Sequence, residues 1–466
     1  MNDKLSDALN EISDKHIAEA ARKPMKKLRQ LSAIAALLAV AVLVGVLAGP
    51  GAIRAEALTL ADDPRVTQRP DSDDYKNLDD WRADLDAWQA ERDQRLAIKR
   101  DALASLNDFF TEANAQFLSG STENRLWSPA NAYIGLAALS ELTSGNSRQQ
   151  ILNALSATDM DTLRTQVSAL WESAYADGKE ASKIATSLWL SKGLSANSQT
   201  LDNLSYYHYA SVYRGDLSSS LTAKAIGNWL NKNTGGLLKS ATDNIRLPED
   251  AVLALYSTLY FQSKWQEQFR AANNTNDVFH AAAGDITAEF MNKKLAMMNY
   301  YWGDNFGAVS LYLKNGSQMW FILPDEGCTV EDVLANGTYM DMVLAGKSEN
   351  SKYMKVNLSV PKFDISGKQN LRSGLEALGV TDVFYETTSD FSAITADVPV
   401  YLTAVNQAVR VQIDEEGVKA AAYIEIPGAM SPEPPDEIID FVLNRPFLFV
   451  ITNSNVPLFA GSVQQP

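Results

Sequence analysis

Hydrophobic positions from about residue 104 to the C-terminus predict a series of helices followed mainly by strands. Helical spacing of apolar residues is found in residues 136–155, 223–238 and 371–378. Apolar or alternating runs predict strands at residues 183–190, 252–261, 319–323 and 356–360, and the chain after Val398 is almost wholly strand-like. No linker interrupts these segments, so the pattern favours one mixed α+β domain.

The first sixty residues have a different pattern. The segment from Leu31 to Ile53 contains no charged residue, and as a helix it would extend roughly 35 Å, enough to cross a bilayer core of about 30 Å. Basic residues precede it: Arg22, Lys23, Lys26, Lys27 and Arg29. By the positive-inside rule we expect residues 1–30 to be a cytoplasmic tail, residues 31–53 a transmembrane signal anchor, and the C-terminal domain extracellular. The alternative is a protein secreted after cleavage near the triplet Ala55, Glu56 and Ala57.

Two short regions connect this segment to the main domain. Residues 54–78 are acidic and contain Pro64 and Pro70, which predicts a linker. From Asp79 onward apolar residues recur at helical spacing, so residues 79–102 are predicted to form a helical extension, an amphipathic helix in preference to a short coiled coil. Residues 103–466 are the predicted main domain.

Composition excludes several classes of function. The formal net charge of −16 argues against nucleic acid as a partner, because phosphate binding needs clustered Lys and Arg. Cys328 is the only cysteine, so the chain has no intrachain disulfide. The sequence contains no GxSxG, HExxH, GxxxxGK[ST] or CxxC motif. We therefore expect no enzyme activity, no metal site and no cofactor, and an exported hydrolase is a disfavoured alternative.

The segment from Ile413 to Glu437 reads IDEEGVKAAAYIEIPGAMSPEPPDE and is the most unusual part of the chain. Loops of this length are uncommon unless they are functional or disordered. Counted from Gly417, one alternate set of residues is apolar: Val418, Ala420, Ala422, Ile424 and Ile426. The other set is mostly polar or amphipathic: Lys419, Ala421, Tyr423, Glu425 and Pro427. This alternation is typical of a half-buried strand, so the loop is predicted to be able to become a strand in a sheet.

Several sequence blocks occur in a fixed order along the main domain. They are LWSPANAYIGLAALSELTSGNSRQQILNAL at 126–155, NWLNKNTGGLL at 228–238, STLYFQSKWQEQF at 257–269, VPKFD at 360–364, LEALGVTDVF at 375–384, DFSAI at 390–394, DEEGVKAAA at 414–422, NRPFLFVI at 444–451 and PLFAGSVQQP at 457–466. In this order the chain resembles the serpin (serine protease inhibitor) family. The membrane-anchored or secreted arrangement without disulfides indicates a bacterial surface protein.

The resemblance implies an α+β serpin fold with a large central β-sheet, two smaller sheets, about nine helices and an exposed reactive-centre loop. It also implies a suicide inhibitor, in which a serine protease cuts the loop and stays acylated. The cut loop then inserts into the central sheet and distorts the trapped enzyme. A non-inhibitory serpin that acts as a carrier, chaperone or surface-interaction protein is the alternative. The implied partner is the target protease, bound by a monomer.

The resemblance also assigns the residues of the loop. The hinge consists of Glu415, Glu416, Gly417, Val418, Ala420, Ala421 and Ala422. The predicted reactive bond joins Met430 and Ser431, with the bond before Met430 as second choice, because a bond into Pro432 is a poor substrate. The apolar residues around this bond predict a protease of elastase or chymotrypsin type.

Many serpins pair an Asn and a His across the middle of the central sheet, where its strands part. Here the corresponding positions hold Ser257 and either Asn406 or Gln407. These substitutions, with Val418 and Tyr423 in the loop, are departures from the family pattern. We expect Val418 and Tyr423 to affect the rate of insertion rather than abolish it, whereas the changed pair bears on the control of sheet opening, unless a polar pair persists there with different partners.

Overall fold

The computed structural model describes residues 56–59, 70, 75–98, 100–176, 180–236, 245–418 and 437–466. The chain divides into two compact units, Met1–Arg54 and Ala55–Pro466. The first unit lies outside the described residues. So do the predicted reactive bond between Met430 and Ser431 and the hinge residues from Ala420 to Ala422.

The predicted single-pass membrane location is wrong. Among the residues that the structure describes, no helix combines the length and the apolar character needed to cross a bilayer. The segment from Leu31 to Ile53, on which that prediction depended, lies outside the described residues.

The helices lie mainly in the N-terminal half of the second unit. They are α1 (Leu78–Ile98), α2 (Arg100–Ala104), α3 (Asn107–Leu118), α4 (Pro129–Leu142), α5 (Gly145–Ala154), α6 (Met160–Ala174), α7 (Ser198–His208), α8 (Ser220–Asn233), α9 (Val330–Asn336), α10 (Thr338–Ala345) and α11 (Arg372–Ala377). The single helical pattern predicted over residues 136–155 is two helices. Gly145, the first residue of the second helix, has a φ of 51°, a conformation that glycine adopts without strain.

The strands are β1 (Glu56–Thr59), β2 (Arg125–Trp127), β3 (Ala181–Ser191), β4 (Ala210–Gly215), β5 (Leu253–Lys264), β6 (Thr275–Ala281), β7 (Gly284–Trp302), β8 (Phe306–Tyr312), β9 (Gln318–Pro324), β10 (Ser351–Pro361), β11 (Phe363–Asn370), β12 (Asn406–Ile413), β13 (Gly417–Val418), β14 (Ile438–Val442), β15 (Phe447–Asn453) and β16 (Val456–Val463). All four internal strands predicted from the hydrophobic pattern are present. Strand β1 was not predicted, because four residues are too few to show a period.

The strands form three sheets. Nine strands make the largest one, in the order β14-β10-β7-β8-β9-β15-β16-β2 with β6 paired to β7. A five-stranded sheet has the order β1-β4-β3-β5-β13, and β11 pairs with β12 in the third. Helix α4 packs against both β5 and β16 and is buried along most of its length, so it joins the sheets through one core.

Candidate functional site

A wide cleft separates β5 from β12. It encloses about 1170 Å³, and α4 forms its floor through Ser128, Asn131 and Gly135. Both strands use only one edge for most of their length. Residues 253–262 of β5 pair with β3, and β12 pairs with β11 along its whole length. In the part of the chain that the structure describes, the facing edges are paired only where Gly417 and Val418 meet β5.

Two unpaired strand edges that face each other present rows of backbone N–H and C=O groups. Strands in a sheet lie about 4.8 Å apart, so one additional strand between two such edges would satisfy both rows. The two facing edges are therefore a candidate acceptor site for an extended segment.

Polar side chains hold each wall of the cleft to the start of α4. The Ser257 hydroxyl on β5 donates to Asn131 Oδ1 at 2.5 Å, and Asn131 Nδ2 donates to the Ser257 carbonyl at 3.3 Å. On β12, Gln407 Nε2 donates to the Ser128 carbonyl at 3.0 Å and Gln407 Oε1 accepts from the Ser128 N–H at 2.8 Å. The Ser128 hydroxyl donates to the Leu458 carbonyl at 2.6 Å, which connects this point to β16.

These contacts show whether Asn406 or Gln407 stands with Ser257 where the sequence predicts a polar pair between the two strands. Gln407 is 6% exposed and bonded to α4, whereas its neighbour Asn406 is exposed. Ser257 and Gln407 are each bonded to α4, through Asn131 and Ser128 respectively. The polar contacts of the two strands thus both end at the start of one helix.

Replacement of Gln407 by Ala should lower the free energy of unfolding by about 1–3 kcal/mol, because it leaves the buried backbone N–H of Ser128 without its partner. Denaturant titration of the intact protein measures this loss. Gln412→Ala on the same strand, a half-buried position, is the matched control and should have a smaller effect. An equal loss in both variants would contradict the role given to Gln407.

The predicted hinge is a tight turn at the upper end of the cleft. Asp414 Oδ1 accepts from the backbone N–H groups of Glu416 at 2.9 Å and Gly417 at 3.2 Å. The buried indole of Trp265 donates to the Asp414 carbonyl at 2.8 Å, and the Trp265 N–H donates to the Glu416 carbonyl at 3.0 Å. The hinge is therefore fastened to the residue that directly follows β5.

An ionic network holds the other side of the hinge. The Lys362 ammonium lies 2.6 Å from Glu415 and 2.8 Å from Glu289, and Asn274 also donates to both carboxylates. Burial opposes ionisation of Glu415, but the hydrogen bonds from Lys362 and Asn274 outweigh it and lower its pKa. Glu415 therefore stabilises this arrangement above its ordinary pKa, and the contribution is lost as the pH falls through the lowered value.

Gly417 lies against β5 too closely for any other residue. A Cβ atom there would stand 2.4 Å from the Lys264 Cα and 2.6 Å from the Ser263 carbonyl oxygen, and its φ is 150°. Gly417 pairs with Lys264, and Val418 pairs with Ser263, both antiparallel. The first two residues of the alternating segment thus already pair with β5 as a strand, next to the end of the cleft.

Gly417→Val should expel this end of the loop from the sheet, because the clash involves backbone atoms that cannot move aside. If the loop acts as the serpin resemblance implies, we expect the variant to be cleaved by a protease while covalent complex falls by at least about tenfold, since 1.4 kcal/mol already corresponds to that factor. Gel densitometry of complex and cleaved chain gives the ratio. Gly193→Val, where a Cβ meets nothing within 4 Å, is the matched control and should behave like the parent chain.

Val418 is 5% exposed and faces the interior. It lines a small cavity together with Phe261, Val411, Ile451 and Phe459, which belong to β5, β12, β15 and β16 respectively. The prediction that Val418 faces the core agrees with this position. Its partner Ser263 and the deeper Phe261 share this face, because alternate residues of a strand point to the same side.

Sequence reasoning missed several residues that hold the site. Ser128, Asn131, Trp265 and Lys362 all lie far in sequence from the loop. All four lie inside the sequence blocks that carry the family resemblance, but nothing in a single sequence shows which residues meet across a sheet. Cys328 is half-buried and lies outside this site.

Comparisons with known proteins agree with this geometry. A family model described as "Serpin (serine protease inhibitor)" matches residues 104–466. The alpha-1-antiproteinase of Callosciurus caniceps is 28% identical over 360 residues, covering 74% of this chain and 84% of that protein. The plasminogen activator inhibitor 1 of Neovison vison is 24% identical, covering 77% and 92%. The native-state crystal structure of tengpin, a thermophilic serpin, aligns with a TM-score of 0.69 at 25% identity, covering 79% of this chain and 94% of that one.

Proposed function

Because the chain belongs to the serpin family, with the fold predicted from its sequence, we propose that it is a suicide inhibitor of serine proteases. The observation that supports an inserting inhibitor is the open cleft with Gly417 and Val418 already paired to β5 at its upper end. A loop so placed needs no new nucleation step, because the register of the added strand is already set.

The proposed reaction begins when the protease serine attacks the carbonyl carbon of Met430. The peptide bond to Ser431 breaks, the Ser431 amine leaves with a proton, and an ester joins Met430 to the enzyme. Water would normally hydrolyse this ester. Instead, the new chain end moves with the inserting strand, and the protease is carried away from the geometry that it needs for deacylation.

The register at the hinge predicts how the rest of the loop would lie. If every further loop residue pairs with the preceding residue of β5, Ala420 meets Phe261, Ala422 meets Leu259 and Ile424 meets Ser257. Ser257 points toward α4, where it bonds to Asn131. The apolar set of the loop would therefore face the core, as its alternation requires.

The energy of insertion is sufficient to distort a protein. About ten newly paired residues with net hydrogen bonds of about 1 kcal/mol each yield roughly 10 kcal/mol before side-chain burial. This equals the whole stability of many domains, which is about 5–15 kcal/mol. Insertion can therefore drive disruption of a protease active site.

The proposed reactive bond joins Met430 and Ser431, which suits the apolar primary pocket of an elastase- or chymotrypsin-type protease. Incubation of the protein with pancreatic elastase and with chymotrypsin should produce a band that survives boiling in SDS, at the summed mass of the enzyme and the cleaved chain. Mass spectrometry of the released C-terminal peptide locates the bond.

Met430→Arg is the specificity control. It should transfer complex formation to trypsin, because an Arg side chain matches a pocket with a carboxylate at its base. If elastase, chymotrypsin and trypsin cut the loop but no covalent band forms, the inhibitor proposal is wrong. The result would then favour the non-inhibitory alternative, a carrier, chaperone or surface-interaction protein.

A further inference from the structure

Strand β1 lies outside the region that the family model matches, yet it is part of the five-stranded sheet. Glu56, Ala57 and Thr59 pair antiparallel with Arg214, Tyr213 and Val212 of β4, with an irregularity before Thr59. The other edge of β4 pairs with β3 along its whole length. Without β1, β4 would be the outermost strand of this sheet.

The β4 edge is held firmly in place. Val212 is fully buried, and the Tyr213 ring stacks on Trp189 with centroids 4.4 Å apart. The Arg214 guanidinium donates to the Leu194 carbonyl at 2.7 Å, which leaves this residue fixed opposite Glu56. A rigid strand edge is a template for another extended chain, since its N–H and C=O groups point outward at a constant spacing.

Helix α7 fixes the start of β4 to the helical core. Its last residue, His208, is fully buried, and His208 Nε2 lies 3.2 Å from Glu141 Oε1. Arg164 binds the same carboxylate through Nε at 2.8 Å. Burial alone would raise the pKa of Glu141, but its hydrogen bonds to His208 and Arg164 outweigh burial and lower this pKa to about 2. Tyr209 then turns the chain into β4 with a φ of 50°. The edge therefore keeps its position whether or not β1 is paired.

We propose that the outer edge of β4 is a strand-binding site, that β1 is its built-in occupant, and that a second copy of this chain binds there when β1 is displaced. Two copies of β4 are compatible in an antiparallel pair centred on Val212. Arg214 of each would then face Ala210 of the other, and Ser211 would face Tyr213, so like charges do not meet. A contact of this kind is isologous and closes as a dimer.

The test uses the full chain with Ala57→Pro and Leu58→Pro together. Adjacent prolines remove N–H groups on both sides of a strand, so one of them faces β4. In dilute protein, below the concentration at which the variant dimerises, amide exchange of residues 211–214 should accelerate by at least about tenfold, because their outward groups lose partners. In concentrated protein, light scattering during gel filtration should show twice the monomer mass. Asp62→Pro with Asp63→Pro, beyond the strand, is the matched control.

A peptide of residues 55–60, AEALTL, added to the β1 variant should restore slow exchange and the monomer mass. Far-ultraviolet circular dichroism distinguishes this result from misfolding. The variant Glu56→Arg places two Arg residues opposite each other, at positions 56 and 214, and should also accelerate the exchange of residues 211–214. Unchanged exchange in the proline variant would overturn the strand-binding site. Fast exchange in a protein that remains monomeric would overturn the second copy as its partner.

Discussion

Cleavage of the loop should raise the midpoint of thermal unfolding by roughly 20 °C. The open cleft leaves the facing edges of β5 and β12 largely unpaired within the described residues, and an inserted strand would satisfy both. About 10 kcal/mol of added stability, at about 2 °C per kcal/mol for a domain of this size, accounts for the shift. Calorimetry before and after limited elastase digestion measures it.

The control for this measurement is Gly417→Val, which should be cut at the same bond with little change in midpoint, because its hinge cannot pair with β5. A parent chain whose midpoint stays the same after cleavage would show that the cleft does not accept the loop. The fold would then serve a non-inhibitory function, and the proposed covalent trap would fail.

Val418→Glu should convert the protein from an inhibitor into a substrate. Val418 is 5% exposed and lies among apolar side chains. Of the described residues that line its cavity, Arg410 of β12 is the one cation. Arg410 is bound to Asp364 through two hydrogen bonds, of 2.8 and 2.6 Å. An introduced carboxylate would thus be buried without a free partner, at a cost of several kcal/mol.

We expect the number of inhibitor molecules consumed per protease to rise at least about tenfold in Val418→Glu, since 1.4 kcal/mol against insertion is already a factor of ten in partition. Titration of residual protease activity against inhibitor measures this number. Val418→Thr, which keeps the shape of the side chain, should change it far less. Comparable values for Glu and Thr would show that Val418 does not remain in the sheet during inhibition.

Tyr423 is the position where the structure changes the interpretation of the loop. The alternation of the loop sequence assigns Tyr423 to the solvent-facing set. In the continued register, however, Tyr423 would meet Thr258, which is only 4% exposed. The neighbouring Tyr256, on the same side, packs with Trp229 and Leu230 of α8. A loop strand would therefore have to pass beneath α8 at Tyr423, so this residue bears on the rate of insertion more than its pattern indicates.

The sequence determined the elements of this protein and the alternation of its loop. Periods of 3.6 and 2 are local properties, so the predicted strands over residues 183–190, 252–261, 319–323 and 356–360 follow from a single chain. The inward set of loop residues after Val418 stays a prediction. The ordered blocks then indicated the serpin family, which the family model confirms.

Only the tertiary structure decided what those elements do together. Gln407 rather than Asn406 holds β12, Trp265 and Lys362 fasten the hinge, and β1 completes a sheet from outside the family region. Each of these contacts joins residues more than about 50 positions apart. Pairing across such distances depends on how sheets and helices pack, and no local period in a single sequence records it.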